Sequence, residues 1–250
     1  MLAEMGRNML GTIKQGIKRG LNAAGIEVHR FHPDTSTLAQ LMIALGNFNI
    51  DLVLDIGANE GQFSNELRAG GYPKRIVSFE PLSAAHNRLL QASSGDKNWQ
   101  VHPRCALGSG TGEVELNVSG NSVSSSILPM LAMHSKAAPE STYLERETVT
   151  MTTLDLVAPQ YLDGASAPFL KIDTQGYEWH VLDGARRILP QVRGIQIELS
   201  LVPLYEGQRL WRESIERLEG EGFVLWSLQP AFVDPANGRS LQWDGLFFRP

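Results

Sequence analysis

Four carboxylates in this chain stand where apolar runs stop. Asp55 lies near the end of Leu52-Val-Leu-Asp-Ile56, Glu80 follows Arg75-Ile-Val-Ser-Phe79, Asp173 follows Phe169-Leu-Lys-Ile172, and Glu198 closes Gly194-Ile-Gln-Ile-Glu198. Acids at strand ends can do several kinds of chemistry. After the second strand of a nucleotide-type half-sheet, a carboxylate can accept hydrogen bonds from both hydroxyls of a ribose, and Glu80, held by Pro81, fits that position. Asp173 and Glu198 can act as general base and orienter for a hydroxyl that must lose its proton, or can jointly hold a divalent ion. With no Cys or His cluster beside them, such carboxylates suit magnesium better than zinc. Plainer readings stand next to these: Glu80 as a solvated loop acid, Glu198 as the partner of nearby Arg193. His180 is a further candidate base, and Lys171 a candidate ion-pair partner for one of the acids.

Bringing these acids together requires a sheet whose strands end at one rim. Leu52, Val53, Leu54 and Ile56 form the near-continuous apolar run of a strand covered on both faces. Asp55 interrupts that run just before Gly57, where its carboxylate can reach the rim. Gly57 and Gly61 allow a tight turn and leave no Cβ in the way of a ligand lying across it. A helix starting near Gly61 then points free N–H groups at that ligand. The plainer alternative is a tight strand-to-helix connection and nothing more. A dinucleotide fingerprint is a poor match, because Asn59 stands where its second glycine belongs. In open α/β sheets ligands sit outside the carboxyl ends of the strands near the switch point, where Asp55, Glu80 and Asp173 are expected to converge.

The remaining pattern is that of alternating helices and strands. Helices are expected over Thr37 to Leu45, Gln62 to Ala69, Ser83 to Ala92 with Ser83 as its cap, from Gly176 on, and Gln208 to Glu219. Further strands are expected over Trp99 to His102, Glu113 to Val118, Glu147 to Thr153, Phe223 to Leu228 and Gly245 to Phe248. Cys105-Ala-Leu-Gly108 reads as a loop. Between Ser119 and Pro139 the composition turns to serine, glycine and asparagine, and an irregular segment of that length reads as a lid, a binding loop or disorder. From Leu2 to Leu21 a basic amphipathic helix carries Met5, Met9, Ile13, Ile17 and Leu21 on one side. It is read as packing on the domain or a second subunit, or as resting on an anionic membrane surface.

Bulk properties narrow the classes. The 250 residues, 42% hydrophobic and 20% charged, suit one α/β domain. A net charge of −5 argues against a general affinity for nucleic acid. The lone Cys105 can form neither an internal disulfide nor a structural zinc site, so a reducing, cytoplasmic compartment is expected. It reads as a small buried residue, since nothing in its local sequence lowers its pKa. No apolar run approaches a membrane span, and the N-terminus lacks the hydrophobic core of a signal peptide.

The turn Asp55-Ile-Gly-Ala-Asn-Glu-Gly61 resembles the first motif of S-adenosylmethionine (AdoMet) methyltransferases, in the Ala-Asn version of the FkbM type. Lys171-Ile-Asp-x-x-Gly-x-Glu178 resembles the signature of the same family, which more often has Glu where Gln175 stands. The resemblance covers about Asp51 to Arg249. It implies a Rossmann-like fold: a mostly parallel sheet with helices on both faces and a terminal antiparallel strand. Residues 49–250 would be the methyltransferase domain, with a serine-rich lid near 119–139, and residues 1–48 a helical extension. It further implies AdoMet contacts from Asp55, Gly57, Ala58, Asn59, Gly61, Phe63, Glu80, Pro81, Ala106, Leu107 and Asp173, with Ser125 or Ser126 near cofactor or acceptor. Asp173 can alternatively hold the methionine amino group. The expected activity is O-methylation of a sugar, glycolipid or secondary metabolite. A non-catalytic AdoMet-binding scaffold and a nicotinamide-dependent oxidoreductase are the other readings.

Overall fold

A computed structural model of the protein describes residues 15–28 and 32–250. The chain divides into two compact units, Met1–Ile43 and Ala44–Pro250. Most of the expected basic helix lies outside the described residues, and residues 15–23 are helical. Helix α1 (Thr37–Asn47) precedes the sheet.

The first half of the larger unit alternates β1 (Leu52–Ile56), α2 (Gln62–Ala69), β2 (Arg75–Phe79), α3 (Ser83–Ala92) and β3 (Trp99–Val101). A second sheet, ordered β4-β6-β5, is built from β4 (Ala106–Leu107), β5 (Gly112–Ser119) and β6 (Tyr143–Thr152). The short helix α4 (Ala132–Ala137) lies between β5 and β6. Helices α5 (Leu154–Val157) and α6 (Pro159–Leu162) return the chain to β7 (Pro168–Ile172), α7 (Glu178–Asp183), β8 (Gly194–Ser200) and α8 (Trp211–Gly220). A hairpin of β9 (Val224–Val233) and β10 (Ser240–Phe248) ends it.

The main sheet has seven strands in the order β3-β2-β1-β7-β8-β10-β9. All pairings from β3 to β8 are parallel, and β10 runs antiparallel to both of its neighbours. Strand alternation explains how one sheet serves two purposes. Leu52, Leu54 and Ile56 face a core with Val181 and Leu182 of α7 and Leu218 of α8. Asp55 faces the other way, where Ser64 of α2 meets it. The order reverses between β1 and β7, which makes this the switch point expected to hold a ligand.

The strands expected from Glu147 and Gly245 begin earlier, at Tyr143 and Ser240, and the one expected to end at Leu228 runs on to Val233. The helix expected from Gly176 begins at Glu178. Three other local expectations change for identifiable reasons. Ala106–Leu107 is a strand rather than a loop, since it pairs with Met151 and Thr152 at the end of β6. Ser83 is the first residue of α3 and not its cap, and the Glu147 carboxylate accepts its N–H. The helix expected from Gln208 begins at Trp211, because Oε1 of Gln208 accepts the N–H groups of Leu204 and Tyr205 and commits that residue to the loop.

Candidate active site

Pairing register decides which side chains meet at the rim. Ile56 is level with Phe79 and Ile172, and Ile172 with Ile197. One residue further on are Gly57, Glu80, Asp173 and Glu198, and Glu198 is paired with Asp244 of β10. By alternation Glu80, Asp173, Glu198 and Asp244 all project from the face that carries Asp55 and Lys171. Four carboxylates thus occupy one rung, with neighbouring strands about 4.8 Å apart.

At one end of the rung, Glu80 is buried and both its oxygens are engaged. Oε2 accepts the Asn59 N–H at 2.7 Å, and Oε1 accepts the Leu82 N–H at 2.8 Å. Asn59 reaches it from a left-handed φ of 47°, a conformation that Asn tolerates better than most residues and a reason for Asn at this point of the turn. An ionised carboxylate has about four lone-pair sites, so each oxygen retains capacity for a hydroxyl donor. Burial pushes the Glu80 pKa up to about 7, against the opposing pull of the Leu82 and Asn59 N–H groups.

Under the rung lies an ion pair. Asp55 is fully buried, its Oδ2 accepting hydrogen bonds from Ser64 at 2.9 Å and Ser78 at 3.4 Å. Its Oδ1 has no hydrogen-bond donor, and Lys171 Nζ stands 3.6 Å away. Burial raises the Asp55 pKa, with Lys171 opposing. The same ammonium lies 3.2 Å from Asp173 and donates to the Gly57 carbonyl at 3.3 Å. Burial works against its charge, but Asp173 and Asp55 outweigh it and the Lys171 pKa is raised.

Towards β10 the rung becomes more acidic. Gln175 Nε2 donates to Asp173 Oδ1 at 2.8 Å and stands 3.3 Å from both oxygens of Glu198. Burial, then the charges of Asp173, Glu178 and Asp244, lift the Glu198 pKa well above the carboxylate range. Burial followed by Asp173 pushes Asp244 up to about 6. The magnesium expectation does not fit this donor set. An amide nitrogen occupies the gap between Asp173 and Glu198 that a shared cation would need, and among the described residues no three His, Cys, Asp or Glu side chains are arranged to hold a metal ion.

Over the rung lies a cavity of about 320 Å³, within the range of small-molecule sites. Its apolar end is lined by Phe79, Leu82, Ala106, Leu107, Leu116 and Ile127, and its polar end by Lys171, Asp173, Thr174, Gln175, Gln196 and Asp244. An apolar lining beside a buried hydroxyl acceptor suits an adenosyl group. Gly57, Ala58, Asn59, Phe63, Pro81 and Ser125 also line it. Ser126 instead donates to the Gln175 carbonyl at 2.6 Å, tying the serine-rich loop to the rim.

Four expected site residues lie elsewhere. Asp55 does not reach the rim, because alternation and the Ser64 contact keep it beneath the floor. Gly61 does not line the cavity, and a Cβ there would meet the Trp99 ring at 2.8 Å. A Cβ on Gly57 would run into the Asp173 carbonyl oxygen, so both glycines are required by the protein's own packing rather than by clearance for a ligand. Glu198 stands behind Gln175, outside the lining residues, and does not pair with Arg193, whose guanidinium donates to the Pro250 carbonyl and lies over Phe48. His180 stacks on Tyr177 and does not line the cavity. Sequence reasoning missed Gln196 and Asp244. Gln196 shares the face of Glu198 two residues later, and Asp244 just precedes an apolar run whose strand enters the rim in the opposite direction.

A search of curated proteins finds no similar sequence. Similar solved structures include magnesium protoporphyrin IX methyltransferase from Synechocystis PCC 6803 with bound SAM, at 10% identity over 88% of this chain and 80% of that one, TM-score 0.44. The methyltransferase domain of bacterial CtHen1 matches at 12% identity over 84% and 96%, TM-score 0.45. Fibrillarin from Aeropyrum pernix, with natively bound AdoMet, matches at 10% over 79% and 66%, TM-score 0.42. The fold assignment rests on the strand order above rather than on these likenesses. The sequence model of the methyltransferase FkbM domain matches residues 55–225, and with more than half of its length so matched the chain belongs to that family of AdoMet-dependent methyltransferases.

Proposed function

We propose that the protein methylates a hydroxyl of a sugar, glycolipid or secondary metabolite. The observation that supports this is the change of character across one cavity, from an apolar lining beside Glu80 to hydrogen-bonding groups at Thr174, Gln175, Gln196 and Asp244. In this reading Glu80 holds the ribose hydroxyls, Ala106 and Leu107 the adenine, and the turn from Gly57 to Asn59 the remainder of the cofactor. AdoMet supplies a methyl group on a sulfonium centre. The protein aligns the acceptor and handles one proton. Asp173 opens on the cavity and takes the hydroxyl proton as the carbon–oxygen bond forms. Glu198 orients it from behind through Gln175. The basic N-terminal segment would meet an anionic membrane surface when the acceptor is lipid-linked.

Calorimetric titration with AdoMet and with NAD tests the cofactor side. Heat is expected from AdoMet and none from NAD, and preferential NAD binding would remove the proposal. Incubation with methyl-labelled AdoMet and extracted metabolites then tests transfer, with the label expected in an ether. Saturable binding with no labelled product from any acceptor would favour the scaffold reading.

The raised pKa of Glu80 gives this site a pH signature. Ribose donors prefer the ionised acid, so AdoMet affinity is expected to fall by roughly tenfold for each pH unit below about 7. Stability should move the other way. A carboxylate whose folded pKa exceeds its unfolded value contributes stability at low pH that is lost as pH rises through the folded pKa. The cofactor-free protein should therefore resist urea better at pH 6 than at pH 8. Calorimetry and urea unfolding at the two pH values check both signs, and affinity that is unchanged from pH 8 to pH 6 would count against Glu80 as the ribose acceptor.

A further inference from the structure

We propose that Gln175 is the positioning residue of the acidic pair, its amide donating to both Asp173 and Glu198 and so keeping two carboxylates side by side with an amide rather than a cation between them. The inference rests on the reading of Asp173 as the group that takes the acceptor's proton.

An amide nitrogen carries two hydrogens, one for each carboxylate, and the distances of 2.8 Å to Asp173 and 3.3 Å to Glu198 place it between them. The other end of the amide is held as firmly. The Tyr205 hydroxyl donates to Gln175 Oε1 at 2.7 Å, the shortest of its contacts, ahead of His134 Nε2 at 3.2 Å and the Ser124 carbonyl at 3.3 Å. Burial, and then Glu198 nearby, raise the Tyr205 pKa, so the phenol remains a donor at every working pH. A flipped amide would turn its oxygen on two carboxylates at once.

The backbone is shaped around this placement. Gln175 has a left-handed φ of 53°, a region that non-glycine residues enter at a cost. Two groups hold it there. Ser126 donates to its carbonyl at 2.6 Å, and Glu178 Oε1 accepts the N–H groups of Thr174 and Gly176 at 2.9 and 3.0 Å. The charged and titratable groups around the pair are Lys171 on β7, Glu178 on α7, Asp244 on β10, and Tyr205 and His134 behind the amide. Lys171 is the cation among them, and it already serves Asp55 and Asp173. Among the described residues, the side-chain donor that Glu198 meets is the Gln175 amide, and Lys171 acts on it only as a nearby charge.

The test is urea unfolding of the full chain between pH 5 and pH 8 for wild type, Gln175→Glu and Gln175→Met. In the Glu variant a third carboxylate replaces the donor, and its folded pKa rises above its unfolded value. In the Met variant the shape is kept but the donor is lost, so Glu198, already raised by burial and its acidic neighbours, retains a proton more tightly. In both, the deficit in the folding equilibrium constant relative to wild type should widen as pH rises, by at least about 30-fold from pH 5 to pH 8, since one extra bound proton is worth up to tenfold per pH unit. A deficit that changes by less than about threefold in the variants that fold would overturn the proposal, because a residue that merely fills space costs the same at each pH. Failure of the Glu variant to fold leaves the Met variant as the deciding measurement. Transfer that survives Asp173→Asn would instead remove the reading of Asp173 and leave the clip intact.

Discussion

Replacing Asp173 by Asn is expected to slow methyl transfer by about 10²–10⁴-fold, the usual contribution of a positioned proton acceptor. That range corresponds to roughly 3–5 kcal/mol of barrier. Asn matches the size of Asp and keeps an oxygen towards Gln175 Nε2, which now stands 2.8 Å from Asp173. Lys171 keeps Asp55 as its counter-charge. The fold should therefore survive while the carboxylate that opens on the cavity is lost. Glu198→Gln disturbs one hydrogen bond to the Gln175 amide behind that acid and should cost less, about tenfold, as one hydrogen bond is worth. Single-turnover transfer of labelled methyl groups, with AdoMet affinity measured separately, separates the roles. Slower transfer at unchanged affinity marks Asp173 as the base, whereas a weakened affinity at unchanged rate assigns it to the methionine amino group. Full activity in both variants would eliminate the proposed mechanism.

Lys171→Met should cost about 3–5 kcal/mol of stability at pH 8, the usual result of stripping one partner from a buried pair. A typical domain has only about 5–15 kcal/mol in total, so the variant would be close to unfolding. The magnitude follows from Asp55, which is wholly buried, with an Oδ1 that accepts no hydrogen bond and Lys171 as the cation beside it. Without that ammonium Asp55 must protonate. Its folded pKa, already raised, climbs further above the unfolded value, so the missing stability returns as pH falls and the deficit is largest at high pH. Adding Asp55→Asn removes the orphaned charge, and the double variant should recover much of the loss. Urea midpoints for wild type, both single variants and the double at pH 6 and pH 8 check this. A loss that is equal at the two pH values would show that Lys171 matters only for packing.

The amino-acid sequence by itself determined the strands that end at the rim, the helices between them and the family. Apolar runs such as Leu52 to Ile56 and Phe169 to Ile172, and the spacing of Gly57, Gly61, Asp173 and Gly176, are local patterns, and local patterns are legible one residue after another. Glu80 was readable for the same reason, since its place after a strand and before Pro81 needs no knowledge of partners. What each acid does on reaching the rim was decided by the tertiary structure alone. Asp55 turns under the floor because strand alternation sends it towards Ser64. Asp244 joins the rung because β10 lies antiparallel beside β8, a pairing no stretch of either strand announces. Gly57 is glycine because the Asp173 carbonyl, more than a hundred residues away in the chain, comes to rest where a Cβ would stand. Side chains meet through register and packing between distant segments, and those are properties of the assembled sheet rather than of any one of its strands.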